Sequence, residues 1–397
     1  MKILQLCHKP PQPAIDGGCI AINNITKGFL ENNTAVKVLT ISTVKHPFVK
    51  EEIEKDFFIK TQIESAFVDT ELNIVDAFSN LVTSDSYNIS RFFSPDFDIL
   101  LQKTLEANHY DVIHLESLFM TPYLGTIKRY SKAKIVLRSH NLEYMIWERL
   151  ASSTTNKAKK VYLKILANQL KKYETTIINQ VDGIASITDE DGQKYRTLGC
   201  QKPIVTIPFG VYLSDFNRIE PSQSQVDLFH IGSMDWKPNL EGIAWFSESV
   251  WPKIQAAFPK LKFHLAGRNM PDWLINSNTK NIVNHGEVKV ANDFINNHGI
   301  MIVPLLSAGG MRIKIIEGMA LGKVVISTAI GAEGISFKHR ENILIANNAM
   351  EFVSELTWLL SDKNRIIKIA DNARVLVEEK YSNNLINSRL VSFYKSL

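Results

Sequence analysis

Short apolar runs alternate with stretches of helical periodicity along the chain, the pattern expected of parallel α/β sheets. In the first half, Ile3–Cys7, Ala35–Ile41, Val112–Leu115, Lys134–Leu137, Gly183–Ile187 and Ile204–Ile207 predict strands. Gly18–Glu31, Asp96–Asn108, Leu142–Leu150, Lys157–Gln180 and Asp189–Leu198 predict helices between them. Residues 45–95 carry little periodicity and receive no assignment. The polar run Asn217–Gln225 reads as a linker, after which a second series begins. Its strands are expected at Val226–Ile231, Lys262–Ala266, Ile282–Asn284, Ile300–Val303, Lys323–Ser327 and Ile343–Ala346. Its helices are expected at Leu240–Phe258, Asn292–Asn297, Met311–Leu321, Ala349–Leu360 and Lys363–Lys380. Two Rossmann-like halves in tandem follow, with the ligand expected in a cleft at the carboxyl ends of the strands.

Composition narrows the function classes only mildly. At 397 residues the chain is long for one domain. With 45% hydrophobic and 22% charged residues, it is an ordinary globular composition. The net charge of +4 permits an anionic partner without demanding one. No basic run interleaved with aromatics points to nucleic acid. Cys7, Cys19 and Cys200 are too scattered for a disulfide framework and read as small apolar fillers in a reducing compartment. Cys7-His8 near Cys19 suggests metal ligands, but no second ligand pair follows. The apolar start at Met1–Cys7 is too short for a secretory signal. No stretch approaches the ~20 apolar residues of a membrane span, so a cytoplasmic protein is expected, at most bound to a membrane surface.

The densest chemistry lies in Ser307–Thr328. Gly309 and Gly310 lead into a predicted helix whose first turn carries Arg312 and Lys314, with Glu317 among Ile313, Ile315, Ile316 and Met319. A glycine-rich entry leaves backbone N–H groups at a helix N-terminus, where the dipole favours an anion. A carboxylate on an apolar helix asks for hydrogen-bond donors. A nucleotide sugar, with phosphates at one end and hydroxyls at the other, meets both needs. The plainer reading, an i,i+3 ion pair of Lys314 with Glu317, is worth only about 0.2–0.5 kcal/mol. The dinucleotide fingerprint G-x-G-x-x-G is absent after the first strand, where Asp16-Gly17-Gly18 opens a helix instead. Those glycines either let a phosphate or sugar approach the backbone or serve a tight loop with positive φ.

In order along the chain stand Asp16-Gly17-Gly18, Arg138-Ser-His-Asn-Leu-Glu143, Ile207-Pro-Phe-Gly-Val211, Gly232-Ser-Met-Asp-Trp-Lys-Pro-Asn239, Leu265-Ala-Gly-Arg268, His285-Gly-Glu287 and the Ser307–Thr328 segment. This series resembles the GT-B glycosyltransferases of the family 4 type, retaining and nucleotide-sugar-dependent. The resemblance implies two Rossmann-like α/β/α domains facing across a cleft. One spans 1–210 on the acceptor side and one spans 222–380 on the donor side, with a C-terminal helix, 381–397, packing back on the first. It implies His140, Arg312 and Lys314 as catalytic residues. It implies donor contacts from Gly17, Gly18, Gly232, Ser233, Lys237, Gly267, Gly286, Gly309, Gly310, Met311 and Glu317, the last holding the ribose hydroxyls. No metal or other cofactor is expected. The implied partners are a UDP- or GDP-linked sugar and a glycan or lipid-linked acceptor of surface polysaccharide or glycoconjugate assembly.

Two departures stand out. Gly309 occupies the place of the first glutamate of the family's E-x7-E, which obscures sugar specificity. Ser233 stands where an arginine normally follows Gly232, and Arg312 and Lys314 resemble a known substitute pattern, G-x-R-x-K-x-x-E. Two alternatives therefore stay open: a nucleotide-sugar 2-epimerase-like enzyme, and a non-catalytic GT-B-like partner subunit.

Other features have plainer readings. His114 and Glu116 share a face at a strand end, as acceptor-side groups or as a satisfied pair. Asp189-Glu-Asp191 and Asp96-Phe-Asp98 are helix starts rather than metal motifs, since acids favour that end of the dipole. Arg149–Tyr173 holds seven cations and no acid, amphipathic enough for an anionic bilayer, although a solvated face on a packed helix is the simpler and preferred reading.

Overall fold

The computed structural model describes residues 1–70, 87–218, 226–307 and 310–397. The chain divides into two units, Met1–Phe209 with Ile386–Leu397, and Gly210–Leu385.

The first unit is built on seven strands: β1 (Lys2–Cys7), β2 (Ala35–Ser42), β3 (Glu64–Phe67), β4 (Val112–Glu116), β5 (Lys134–Ser139), β6 (Gly183–Ser186) and β7 (Ile204–Thr206). They lie in the order β3-β2-β1-β4-β5-β6-β7, and every pairing is parallel. Helices cover both faces, so β4 is buried at every position and β1 at all but its first residue, which is why these strands read as continuous apolar runs. The order reverses between β1 and β4, a switch point where ligands bind beyond the strand ends. Leu6 pairs with Leu39 on one side and with Leu115 on the other, so β1, β2 and β4 end together.

The closing helix Asn383–Ser396 runs into this unit from Ile386 onward. The Tyr394 hydroxyl bonds His114 Nδ1. Glycines admit the helix: a Cβ on Gly28 would fall 1.8 Å from Asn387 Nδ2, and one on Gly183 would fall 2.8 Å from Phe393.

In the second unit β8 (Leu228–Ile231), β9 (Phe263–Ala266), β10 (Ile282–Asn284), β11 (Ile300–Val303), β12 (Val324–Ser327) and β13 (Leu344–Ile345) form a parallel sheet ordered β10-β9-β8-β11-β12-β13. Its switch point lies between β8 and β11. The core on one face gathers Phe246, Trp251, Phe263, Phe352 and Leu356, all fully buried.

Several elements depart from the sequence pattern. The aperiodic region contains a helix, Lys55–Thr61, and the edge strand β3, whose residues are only half-buried or exposed and so leave no apolar run. The helix expected over Leu240–Phe258 is Lys237–Trp245, a π-helical turn at Phe246–Val250, and Trp251–Ala257. Pro252 lacks an N–H and crowds the preceding turn, which the wider turn accommodates. Cys7, Cys19 and Cys200 are buried free thiols. Thr188 caps the helix Asp189–Thr197 by accepting from the Asp191 N–H at 3.0 Å, as the helix-start reading requires. Among the described residues no helix is long and apolar enough to cross a membrane. The linker segment 219–225 lies outside the described residues.

Candidate functional site

The chemistry falls into two groups, one at the switch point of each sheet. In the second unit three glycines stand side by side where β8, β9 and β10 end. A Cβ on Gly232 would lie 2.8 Å from both Asn239 Nδ2 and Lys314 Nζ, and one on Gly267 would lie 1.9 Å from the Gly232 carbonyl. Gly267 N–H donates to the Gly286 carbonyl at 2.8 Å, and Gly286 has φ of 62°, a left-handed conformation that favours glycine. A Cβ is excluded by side chains at Gly232 and by backbone at Gly267, and disfavoured by φ at Gly286, so the predicted Gly232, Gly267 and Gly286 are brought together.

Over this floor lies Lys314. Its ammonium donates to the Ile231 carbonyl at 3.2 Å and to Asn239 Oδ1 at 2.9 Å, while Asn239 Nδ2 donates to the Ser233 carbonyl at 2.8 Å. Among the described residues its third N–H has no partner. Burial, and then the neighbouring Arg312, lower the Lys314 pKa to about 7, against a small opposing pull from Glu317. His230 lies beneath with Nδ1 on the Ile302 carbonyl at 2.8 Å; burial and Lys314 hold its pKa well down, so it stays neutral.

The helix Ile313–Ala320 begins two residues later than its periodicity suggests, with Arg312 in the extended cap position and Gly310 at φ of 79°. Arg312 therefore precedes the first turn instead of lying in it, and its guanidinium packs 5.2 Å from the ring centre of Trp236. Glu317 is half-buried; burial raises its pKa, partly offset by Lys314. Among the described residues its carboxylate accepts no hydrogen bond, and no ion pair joins it to Lys314. The i,i+3 pair is thus absent, because the ammonium turns to the end of β8 instead.

Not every candidate joins this group. Lys237 is 83% exposed and sits 3.4 Å from Glu241, one turn on along its own helix. Ser233 takes part through its carbonyl, its hydroxyl being engaged by Asp235. Met311 is buried. Gly309 lies outside the described residues.

In the first unit the centre is Glu116, fully buried at the end of β4. Arg138 Nη1 donates to it at 3.1 Å and Gln5 Nε2 at 3.2 Å, and His114 Nε2 lies 2.9 Å away. Burial alone would raise the Glu116 pKa, but Arg138 and His114 outweigh it and hold the group ionised. His140 follows β5, with Nε2 2.8 Å from Glu116 Oε2. Since a carboxylate only accepts, Nε2 carries the proton and Nδ1 is left as an acceptor. Burial keeps His140 below its ordinary pKa against the pull of Glu116, so the imidazole is neutral near pH 7. His8 presents the same logic. Its Nδ1 donates to the Glu116 carbonyl at 2.9 Å, and burial, His140 and Lys9 bring its pKa to about 3.

At the helix start Gly17–Glu31, Asp16 accepts from the Cys19 N–H at 2.8 Å, from Lys9 Nζ at 2.8 Å and from His46 Nε2 at 2.9 Å. These donors outweigh burial and hold Asp16 ionised. Neither Gly17 nor Gly18 has positive φ. Gly18 is small because Lys9 lies across it, where a Cβ would sit 2.3 Å from Nζ. The helix start therefore carries the chain's own carboxylate and ammonium beside Gly17 and Gly18. Lys9 and His46, with His8, Lys45, Arg91 and Phe92, line a cleft of about 480 Å³.

Pattern reading passed over His8, Lys9, His46, Trp236 and Asn239 as site residues. Trp236 and Asn239 stood inside the Gly232–Asn239 motif. His46 carried no signal, since only the fold brings it to Asp16.

Residues 225–362 match the family described as glycosyl transferases group 1, and residues 71–215 match Glycosyltransferase Family 4. The chain belongs to the family 4 glycosyltransferases. A 44.6 kDa protein of the cps region of Klebsiella pneumoniae is 23% identical over 293 residues, 71% of this chain and 73% of that one. Among solved structures, sucrose-phosphate synthase from Thermosynechococcus elongatus aligns with a TM-score of 0.69 at 14% identity, over 100% of this chain and 99% of its own. Anabaena HepE in complex with UDP aligns at 0.66 and 12% identity over 100% of both chains. Both likenesses bear on the fold, which is GT-B. In this glycosyltransferase the two groups of polar residues each sit beyond the carboxyl ends of a GT-B sheet.

Proposed function

We propose that this glycosyltransferase moves a sugar from a nucleoside-diphosphate sugar to a glycan or lipid-linked acceptor, with retention of configuration and without a metal at the diphosphate. The observation that carries this reading is the Lys314–Glu317 group. It offers an ammonium donor, a guanidinium and an unanswered carboxylate beside a glycine floor that admits a ligand backbone. Breaking the sugar–phosphate bond leaves new negative charge on the diphosphate, and preorganised cations are the main requirement for stabilising it. Lys314 and Arg312 supply them, and Glu317 accepts from the ribose hydroxyls. That HepE is crystallised with UDP favours a uridine nucleotide as the first to test.

The first unit takes the acceptor. Neutral His140, held through Glu116, presents Nδ1 as an acceptor and orients sugar hydroxyls rather than attacking. Among the described residues there, no side chain has the surroundings of a nucleophile, and the acceptor hydroxyl itself attacks on the face the diphosphate leaves. The cps-region relative favours a role in surface polysaccharide assembly.

A lipid-linked acceptor suits a protein at the cytoplasmic face of a membrane. Lys157, Lys159, Lys164, Lys171 and Lys172 are exposed on the helix Lys157–Ile177, beside Val161 at 59%, Ile165 at 41% and, from the preceding helix, Leu150 at 45% exposure. Exposed cations interleaved with exposed apolar side chains fit an anionic bilayer surface. The reading is tested by offering UDP- and GDP-sugars with glycan and polyprenyl-phosphate acceptors in EDTA and following the anomeric proton by NMR. Transfer with the donor's configuration supports it. Conversion of the nucleotide sugar without acceptor would instead indicate an epimerase, and nucleotide binding without turnover a partner subunit.

A further inference from the structure

In the second unit, beside the end of β10 that carries Gly286, three histidines meet. His264 is on β9, His285 follows β10, and His298 lies between the helix Ala291–Asn296 and β11. One nitrogen from each lies within 4.8 Å of the others. His264 Nδ1 is 2.9 Å from His285 Nε2, and the His264 and His298 rings are 4.2 Å apart.

Packing alone does not ask for imidazoles here, because Phe294 and Phe229 already supply ring contacts to His298 at 4.5 and 5.8 Å. The nitrogens, moreover, are sorted. His298 Nδ1 is 2.7 Å from the Phe294 carbonyl. A carbonyl can only accept, so Nδ1 carries the proton and Nε2 is a bare lone pair. His264 Nε2 faces the Asp227 carboxylate at 3.5 Å, which favours the proton on that nitrogen, and Nδ1 is the one turned toward His285. An outer acceptor fixing the far nitrogen is the second-shell arrangement of metal-binding histidines.

We propose that His264, His285 and His298 bind a divalent transition ion of the zinc class, with Asp227 as the outer partner of His264. Zinc takes imidazole nitrogens at about 2.0–2.1 Å in tetrahedral geometry, which places ligand atoms roughly 3.3 Å apart. Side-chain adjustments of an ångström or so bring these three to that spacing. His285 is exposed, so water fills the fourth position. The ion joins β9, the end of β10 and the lead into β11, a clasp on the sheet next to the glycine floor.

The test uses the full chain, stripped with EDTA and dialysed free of it, and titrated with zinc by calorimetry and with cobalt by absorption. One ion per chain is expected, with cobalt ligand-field bands of a four-coordinate nitrogen site and a higher melting temperature. His285→Ala, at an exposed position, and His298→Phe, which keeps the ring, are each expected to weaken zinc at least 100-fold with the fold intact by circular dichroism. Asp227→Asn is expected to weaken it about 10–100-fold. No uptake by the wild type at millimolar zinc, or equal uptake by His285→Ala and His298→Phe, would overturn the proposal.

Discussion

Glu116 and Glu317 are both acids set among apolar side chains near a sheet switch point, and they have opposite surroundings. Around Glu116 the protein itself supplies Arg138, Gln5, His114 and His140. Around Glu317, among the described residues, it supplies only the field of Lys314. A buried charge whose partners are complete holds other groups in place and gains little from a ligand. One whose partners are missing is waiting for them. The contrast divides the molecule's polar groups into those that position and those that bind.

The sharpest way to break the comparison is Glu116→Ala. Arg138 would be left buried without its carboxylate, a loss of about 3–5 kcal/mol on the usual scale for one member of a buried pair. Denaturant unfolding should show it. A loss below 1 kcal/mol would mean that the network is not holding the strand ends together. Glu317→Ala is expected to do the reverse, leaving stability within about 1 kcal/mol because no internal hydrogen bond is lost. Its nucleoside-diphosphate affinity should fall at least tenfold.

The pH dependence of binding sharpens the same point. Lys314, with a pKa near 7 in the free protein, is half-charged there and must be protonated to hold a diphosphate. Affinity should therefore fall as pH rises from 7 to 9, by at most about tenfold per unit. Lys314→Arg, which stays charged, should flatten the slope. Calorimetry in buffers of different ionisation enthalpy would show proton uptake on binding at pH 8.

A smaller effect concerns Glu174. It is fully buried and accepts from the Glu143 and Tyr144 N–H groups at 3.2 and 2.9 Å, so it caps the helix that follows His140 from outside. Burial raises its pKa from 4.5 to about 8, with Glu143 adding to the rise against those two hydrogen bonds. Because the folded form holds its proton more tightly than the unfolded one, stability falls as pH climbs from about 4.5 to about 8, then levels off. Glu174→Gln removes that ionisation, and its stability relative to wild type should rise across the same window by roughly 1–3 kcal/mol. Melting curves at pH 5 and pH 8 would show whether the gap widens. Smallest of all, Lys237→Ala should change stability by no more than about 0.5 kcal/mol and leave nucleotide affinity unaltered.

Much of this fold was legible because its strands are buried on both faces. Ile300–Val303, buried throughout, is a strand over the very residues the apolar pattern marks, and the equally buried Val112–Glu116 runs one residue past its expected end. The edge strand Glu64–Phe67 was hidden for the opposite reason, having little buried surface to enforce a pattern. At the second-unit site the glycines and Glu317 stood out, since a glycine in a strand-end motif and an acid in an apolar helix both break local rules. Asn239 and His46 did not, because ordinary polar residues acquire a role only from what the fold sets opposite them. Gly18 was conspicuous as a glycine at a helix start, but only the fold shows that Lys9 lies where its Cβ would fall.

The most direct test of the account is calorimetric titration of UDP and GDP, in EDTA, into the wild type and into Glu317→Ala and Lys314→Met. The account predicts that one of the two diphosphates binds the wild type at a single site without metal. Both variants should lose at least tenfold in affinity while keeping the wild-type melting temperature within a few degrees. Wild-type affinity in both variants, or binding that appears only when a divalent metal is added, would contradict the assignment of the Lys314–Glu317 group as the nucleotide site.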